Sequence, residues 1–504
     1  MRPTNVLFIF SDQHSRRVLG CYGNAAARTP ALDALAARGT RFASAYCQTP
    51  ICVPSRASLA TGRWAHAVDS WDNATPYVGT EARSWGHRLT AQGHRVTTIG
   101  KLHYRKVDDP SGFPDQRVPM HVLEGVGDLY GLLRGDMPQR PQSRTQVLEA
   151  RAGESEYIRY DRAIADGAVR WLREEAPAER KPWCLFVGFV SPHFPLVVPD
   201  QYWNLYDPDA LPLPVQHAPE HWSRHPVLEL KRRQEALDAT FDEGTLRNAM
   251  RAYYGLVSFL DEQVGLVLEA LRAGGLQEST RVIYSTDHGE MLGEHGLWWK
   301  SAMYESAVAV PLIVAGPDVP ASKIAGTNAM LVDVFPSLLE AVGTRPAPED
   351  RDLPGRSLWG LAREDVRPRT AFSEYHAIFS PSGTFMVRTA RYKYVHYVGY
   401  PGQLFDLDVD PEETTDLGTD PAHADVRVMC ERELRAICDP DAVDRRARAD
   451  QRRRLEAAGG AAAVLTEGVK IPYTPAPAEF EPAPVEARER GRSAARRDAT
   501  RGVD

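Results

Sequence analysis

Near the start of the chain an unbroken apolar run, Val6-Leu7-Phe8-Ile9-Phe10, stops abruptly at the polar turn Ser11-Asp12-Gln13-His14. A strand that carries apolar side chains on both faces has to be covered on both faces, so it belongs inside a parallel sheet with helices packed on either side. A carboxylate at the end of such a strand, here Asp12, faces the crevice where ligands bind in open α/β sheets.

The same alternation continues along the chain. Helices are predicted over 29–38, 81–92, 160–174 and 246–272, with strands over 94–99, 184–190, 281–285 and 312–315. That order predicts an α/β sandwich, a large, mostly parallel central sheet flanked by helices. Two long stretches, 108–153 and 199–239, exceed simple connections and are read as insertions over the site.

After residue 365 the pattern changes to short, aromatic-rich alternating runs at 369–373, 384–389 and 392–397, followed by a helical stretch at 424–437. This predicts a small C-terminal antiparallel sheet backed by a helix. The organisation is therefore a catalytic domain over 1–365, a small α+β subdomain over 366–440, and a charged tail over 441–504. The tail holds an arginine run at 445–454, a Pro/Ala-rich stretch at 471–484 and further arginines at 488–501, and reads as extended or partly disordered. Its arginine runs read as a solvated helix face and a solvated tail, with a contact in a homo-oligomer as the one functional use they suggest.

Composition excludes some classes of function. Sixty Lys and Arg stand against 67 acids, a formal net charge of -7 that leaves no excess of cations for nucleic acid. No run is long and apolar enough to span a bilayer, and the opening apolar run is too short for a signal-peptide core. The six cysteines have no paired metal spacing and read as thiols of a reducing compartment, which points to the cytoplasm.

The chemistry concentrates at Cys52-Val53-Pro54-Ser55-Arg56. Residues 54–61 read as a helix, so Cys52 sits at a helix N-terminus, where backbone N–H groups favour negative charge. Alone, the pattern describes a half-buried cysteine before a Pro-started helix. Likewise a lone strand-end aspartate commonly caps a turn. Two of them, Asp12 and Asp287, with Gln13 and His288 beside them, instead make a plausible shell for a divalent metal once neighbouring strands bring them together.

The run from Cys52 to Arg63 resembles the signature of the type I, formylglycine-dependent sulfatases of the alkaline phosphatase superfamily along its whole length. Matches in the same order extend over roughly residues 3–420. They include Asp12, Gly100-Lys101-Leu102-His103, Ser191-Pro192-His193, Ser285-Thr286-Asp287-His288-Gly289, the segment ending at Lys300, and Leu404-Phe405-Asp406-Leu407. The resemblance implies an alkaline-phosphatase-like sandwich and a sulfuric ester hydrolase. A separate maturation enzyme oxidises the cysteine to formylglycine, whose hydrate attacks sulfur through one hydroxyl and uses the other to expel sulfate.

Carried onto this chain, the resemblance gives Cys52 as nucleophile and metal-site member, with Asp12, Gln13, Asp287 and His288 as the other ligands. Arg56 and Lys101 hold charge around the nucleophile, and His103 is the base for the second hydroxyl. His193 and Lys300 contact the sulfate and protonate the leaving oxygen, and Asn73 hydrogen-bonds the ester oxygens. Many arylsulfatases have Asp at the position of Gln13 and Asn at that of His288. The Gln and His pair resembles the choline-sulfatase and phosphonate monoester hydrolase branch, and leaves Mn, Ca or Mg as the expected ion, with manganese somewhat favoured.

The expected substrate is a small-molecule sulfate ester of a choline, sugar or aryl alcohol. A phosphonate monoester or phosphodiester hydrolase on the same site is the nearest alternative. Lys101 with His103 favours the sulfatase, because the resembling phosphonate hydrolases carry neutral side chains there. A non-catalytic anion-binding homologue is a third possibility.

Overall fold

The computed structural model describes residues 2–364, 366–467 and 473–480. Its eight-stranded sheet contains β1 (Asn5–Asp12), β2 (Gly39–Phe42), β3 (Val96–Lys101), β4 (Asp115–Met120), β5 (Cys184–Pro192), β6 (Thr280–Thr286), β7 (Leu312–Ala315) and β8 (Lys323–Ala325), in the spatial order β8-β2-β7-β6-β1-β5-β3-β4. Only β7 runs against its neighbours. The mostly parallel sheet read from the sequence is therefore the sheet that forms.

The opening apolar run lies at its centre. β1 pairs in parallel with β5 on one side and β6 on the other, placing Phe8 opposite both Phe186 and Ile283. Because successive side chains point to opposite faces, Val6, Phe8 and Phe10 enter one core while Leu7 and Ile9 enter another. The first core is closed by α2 (Cys52–Thr61), α3 (Trp85–Ala91) and α6 (Val334–Val342), and the second by α1 (Pro30–Ala37), α4 (Glu156–Glu174) and α5 (Glu243–Ala273).

Capping explains where these helices begin. Ser84 accepts from His87 N, so α3 starts at Trp85 rather than at 81, and Asp242 accepts from Thr245 N, so α5 starts ahead of the predicted 246. The edge strands β4 and β8, and β2 beside β8, are absent from the sequence reading. β4 falls inside an expected insertion and reads Asp-Gln-Arg-Val-Pro-Met, which lacks the apolar run of a central strand.

The C-terminal region forms an antiparallel four-stranded meander, β9 (Ala371–Tyr375), β10 (Thr384–Arg388), β11 (Tyr392–Tyr397) and β12 (Gln403–Asp406), in that order. It is backed by α7 (Ala424–Ile437), which buries Cys430 and Leu434. The boundary expected at 365 falls on a residue outside those described.

The tail departs from expectation. The arginine run at 445–454, read as a solvated helix face, lies in the helix α8 (Pro440–Ala457), which is partly buried rather than solvated all round, and the residues after it, read as extended, form α9 (Gly460–Glu467). Asp439 caps the first of these through the N–H groups of Asp441 and Ala442, with Pro440 in the first turn. Two of its polar side chains then fasten it: Asp444 pairs with Arg134 at 2.9 Å, and Gln451 donates to Asp72 at 2.7 Å. The Pro/Ala-rich stretch lies partly, and the arginines at 488–501 wholly, outside the described residues. Among the described residues all six cysteines are free and no helix is long and apolar enough to cross a membrane.

Candidate active site

The ends of β1 and β6 are adjacent, which brings Asp12 and Asp287 to one point at the carboxyl edge of the sheet. Cys52 is the first residue of α2 and faces them. The helix is buried throughout and ends at Gly62 (φ 68°), where a Cβ would stand 2.9 Å from Phe335. That fit fixes how far α2 can slide, and with it the depth of Cys52.

Ligand atoms of Asp12, Cys52, Asp287 and His288 all lie within 4.8 Å of one another. The Cys52 Sγ is 3.3 Å from His288 Nε2, 3.3 Å from Lys300 Nζ and 3.8 Å from Asp12 Oδ1. Two carboxylates and one imidazole, with the amide of Gln13 beside them, are a hard oxygen-rich donor set that fits a divalent cation. Burial, and then the Asp12 carboxylate, push the Cys52 thiol up to about 11. The thiol is therefore held neutral, whereas its helix N-terminus alone would favour a thiolate.

Arg56 joins the two acids from one turn along α2. Its Nε donates to Asp287 Oδ2 at 2.8 Å and its Nη2 to Asp12 Oδ2 at 3.1 Å. Lys101 Nζ stands 2.8 Å from the same Asp12 oxygen. Burial opposes the charge on Asp12, but Lys101 chiefly, with Arg56 and Lys300, holds it well below the usual carboxylate range. Buried charges are tolerated only when paired in this way.

On the other side Lys300 Nζ donates to Gln13 Oε1 at 2.7 Å and meets His193 Nε2 at 2.9 Å. His193 Nδ1 donates to the Phe194 carbonyl at 2.7 Å, which places the ring proton on that nitrogen and leaves Nε2 to accept. Burial and then Lys300 keep this imidazole neutral. Gln13 itself is backbone-strained at φ 64° and its amide nitrogen donates to Glu290. Glu290 thus fixes which end of the amide faces Lys300.

The remaining expected residues gather at the same cleft. Lys101, His103 and Asn73 all line it, and Thr474, which the sequence reading does not name, lines it beside them. Asn73 accepts from Val53 N at 3.1 Å and so secures the first turn of α2. His103 (φ 61°) bonds Thr474 Oγ1 through Nε2 at 2.9 Å, while its buried Nδ1 has no partner. Burial chiefly holds this imidazole well below its ordinary value, hence unprotonated.

Sequence reasoning missed several supports. Glu290, three residues past Asp287, was legible only as one more acid in a loop. Thr474 lies in a Pro/Ala-rich stretch with nothing to mark it. Asp161, on α4, accepts from Val190 N at 2.8 Å and Ser191 N at 2.7 Å and so holds the end of β5 that carries His193. Replacing it by alanine leaves two buried N–H groups unpaired, so Asp161→Ala is expected to lower stability by about 2–4 kcal/mol, measured as a fall in the urea midpoint at unchanged slope.

Comparison with known proteins agrees with this geometry. A family model described as Sulfatase matches residues 4–344, and one described as N-sulphoglucosamine sulphohydrolase, C-terminal, matches residues 293–439. A choline-sulfatase of Rhizobium meliloti is 30% identical over 474 residues, covering 89% of this chain and 90% of its own. Arylsulfatase K of Canis lupus familiaris is 30% identical over 465 residues, covering 86% and 82% respectively. Among solved structures, the phosphonate monoester hydrolase of Agrobacterium radiobacter superposes with a TM-score of 0.71 at 25% identity, covering 86% of this chain and 95% of its own.

Proposed function

We propose that this chain, which belongs to the sulfatase family and is a sulfatase hydrolase, cleaves a sulfate monoester to an alcohol and sulfate through a nucleophile made from Cys52. The observation that carries this reading is the position of Cys52: at the start of a buried helix, with Asp12, His288 and Lys300 all within 3.8 Å of its sulfur.

Formylglycine formed from Cys52 by a maturation enzyme would supply a hydrated aldehyde at that point, and a divalent metal held by Asp12, Gln13, Asp287 and His288 would supply polarisation. The residues around it do the rest. Arg56 and Lys101 fix Asp12 and, with Lys300, give three cations against the two aspartates, an excess that suits a sulfate anion. His193, neutral and accepting at Nε2, shares the proton that Lys300 carries. Lys300 is therefore the group that gives a proton to the departing oxygen, with His193 as its relay. The unpartnered Nδ1 of His103 is the lone pair that serves as base.

A cytoplasmic setting is part of the proposal, supported by the free cysteines.

Two measurements test the reading. Mass spectrometry of the Cys52 peptide, from cells containing the maturation enzyme, is expected to show loss of the thiol. Rates on a sulfate ester and on a phosphodiester are expected to favour the sulfate ester by at least roughly tenfold, because it offers three non-bridging oxygens to Lys101, Lys300 and the proposed metal site, where a phosphodiester offers two and a second ester arm. A retained thiol with no turnover would leave only anion binding. A preference for the phosphodiester would move the chain to the hydrolytic activity of its phosphonate-cleaving structural relative.

A further inference from the structure

The imidazole of His103 is held from far outside the segment that carries it. The residue stands just past β3 in the left-handed region (φ 61°), its backbone N–H donated to the Met120 carbonyl at 2.9 Å. Its ring is buried, and among the described residues the Thr474 hydroxyl, 2.9 Å from Nε2, is the ring's one hydrogen-bond partner.

Thr474 does not depend on His103 for its own place. Tyr157 donates through its hydroxyl to the Thr474 carbonyl, and the Tyr473 ring packs on those of Tyr157 and Phe194 at 5.2 and 5.9 Å. Farther along, Ala476 is buried in the core beneath α4, and Arg159 donates through Nε and Nη2 to the Phe480 carbonyl at 2.9 and 2.6 Å. Tyr157 and Arg159 both belong to α4, so residues 473–480 are fastened to that helix and present Thr474 as a fixed point.

A threonine hydroxyl can give or take a hydrogen bond. If it gave one to Nε2, the ring proton would sit on Nδ1, as a buried N–H with nothing to accept it. Orphaned buried donors are rarer than orphaned acceptors, which favours the opposite sense: Nε2–H donates to Thr474 and Nδ1 keeps a lone pair.

We propose that Thr474 is a positioning residue for the reaction, its hydroxyl accepting from His103 Nε2 and so fixing both the angle of the ring and the tautomer that leaves Nδ1 as a base. The inference rests on the sulfatase reading above. In that reading Nδ1 takes the proton of the second hydroxyl, the electron pair of that oxygen closes the carbonyl, the bond from the same carbon to the ester oxygen breaks, and sulfate leaves with its electrons. A misplaced Nδ1 slows this release and leaves the attack on sulfur untouched.

Two measurements test the role. In the unconverted full chain, nitrogen NMR with labelled histidine should find the proton of His103, identified by the signal lost in His103→Gln, on Nε2. Thr474→Val, which keeps the shape and removes the hydroxyl, should lose that single form, and Thr474→Ser should keep it. In the converted chain, Thr474→Val should lower kcat on a sulfate ester roughly 10-fold, the size of one hydrogen bond, and KM along with it. Because only release is slowed, kcat/KM should stay within about twofold while sulfate accumulates on the Cys52 peptide as added mass, and Thr474→Ser should keep kcat within about threefold.

A proton on Nδ1 in the wild type, or an unchanged His103 ring in Thr474→Val, would overturn the inference. So would a fall in kcat/KM as large as the fall in kcat with no sulfated peptide, the mark of a general loss of structure. If the converted wild type hydrolyses no sulfate ester, the sulfatase reading fails and this role for Thr474 with it, whichever tautomer is seen.

Discussion

Cys52→Ala is expected to remove turnover, lowering kcat on every sulfate ester by roughly 10⁴-fold or more, as removal of a nucleophile from a preorganised site does. The loss should be confined to chemistry. Arg56, Lys101 and Lys300 are held by Asp12, Asp287 and Gln13, not by the sulfur alone, so the anion-binding cations stay in place. Sulfate affinity and the melting temperature should therefore stay near wild type. Expression without the maturation enzyme should reproduce the alanine phenotype, because the neutral thiol of Cys52 offers a single nucleophilic atom and no second hydroxyl to release the product. Full activity of the alanine variant would rule out Cys52 as the source of the nucleophile, and full activity without the maturation enzyme would rule out its conversion to formylglycine.

What made the site legible is the coupling between strand ends and chemistry. Asp12 and Asp287 each end a strand legible in the sequence, and the β1–β6 pairing supplies the adjacency that brings them together. The motif at Cys52 placed the helix within two residues of its observed start. Supports that act through backbone groups left no such trace. Asp161 matters because two N–H groups of β5 lack strand partners, and Glu290 because it orients one amide. Neither relation has a fixed sequence spacing.

The tail shows a different limit. Composition alone makes residues 440–457 look solvated, with arginines and aspartates alternating and few apolar residues. The helix forms because Asp439 and Pro440 start it and because Val443, Ala447 and Gln451 repeat every four residues onto one buried face. A stripe that narrow is easily lost among charges. Thr474 is further still from recognition, since its contact with His103 spans 371 positions of sequence.

Asp287→Asn is expected to cut turnover by at least roughly 10²-fold while the chain still folds. The carboxylate serves two sets of donors at once: Oδ2 accepts from Arg56 Nε at 2.8 Å, and Oδ1 accepts from Gln13 N at 3.2 Å and His288 N at 3.0 Å. An amide has one acceptor oxygen, so whichever way it turns its NH₂ confronts a donor. The unpaired group costs about 1–3 kcal/mol, which a chain with cores this large absorbs. The functional loss is greater because two things fail together. The shell around the proposed metal loses a unit of negative charge, and buried Arg56 keeps only Asp12 as a carboxylate partner, beside the carbonyls of Lys101 and Ser11. Metal content measured on the purified variant should fall, and excess manganese or calcium in the assay should restore part of the turnover but not all, since added ion cannot re-seat Arg56. Wild-type turnover with wild-type metal content would show that Asp287 is a structural partner of Arg56 and not a ligand.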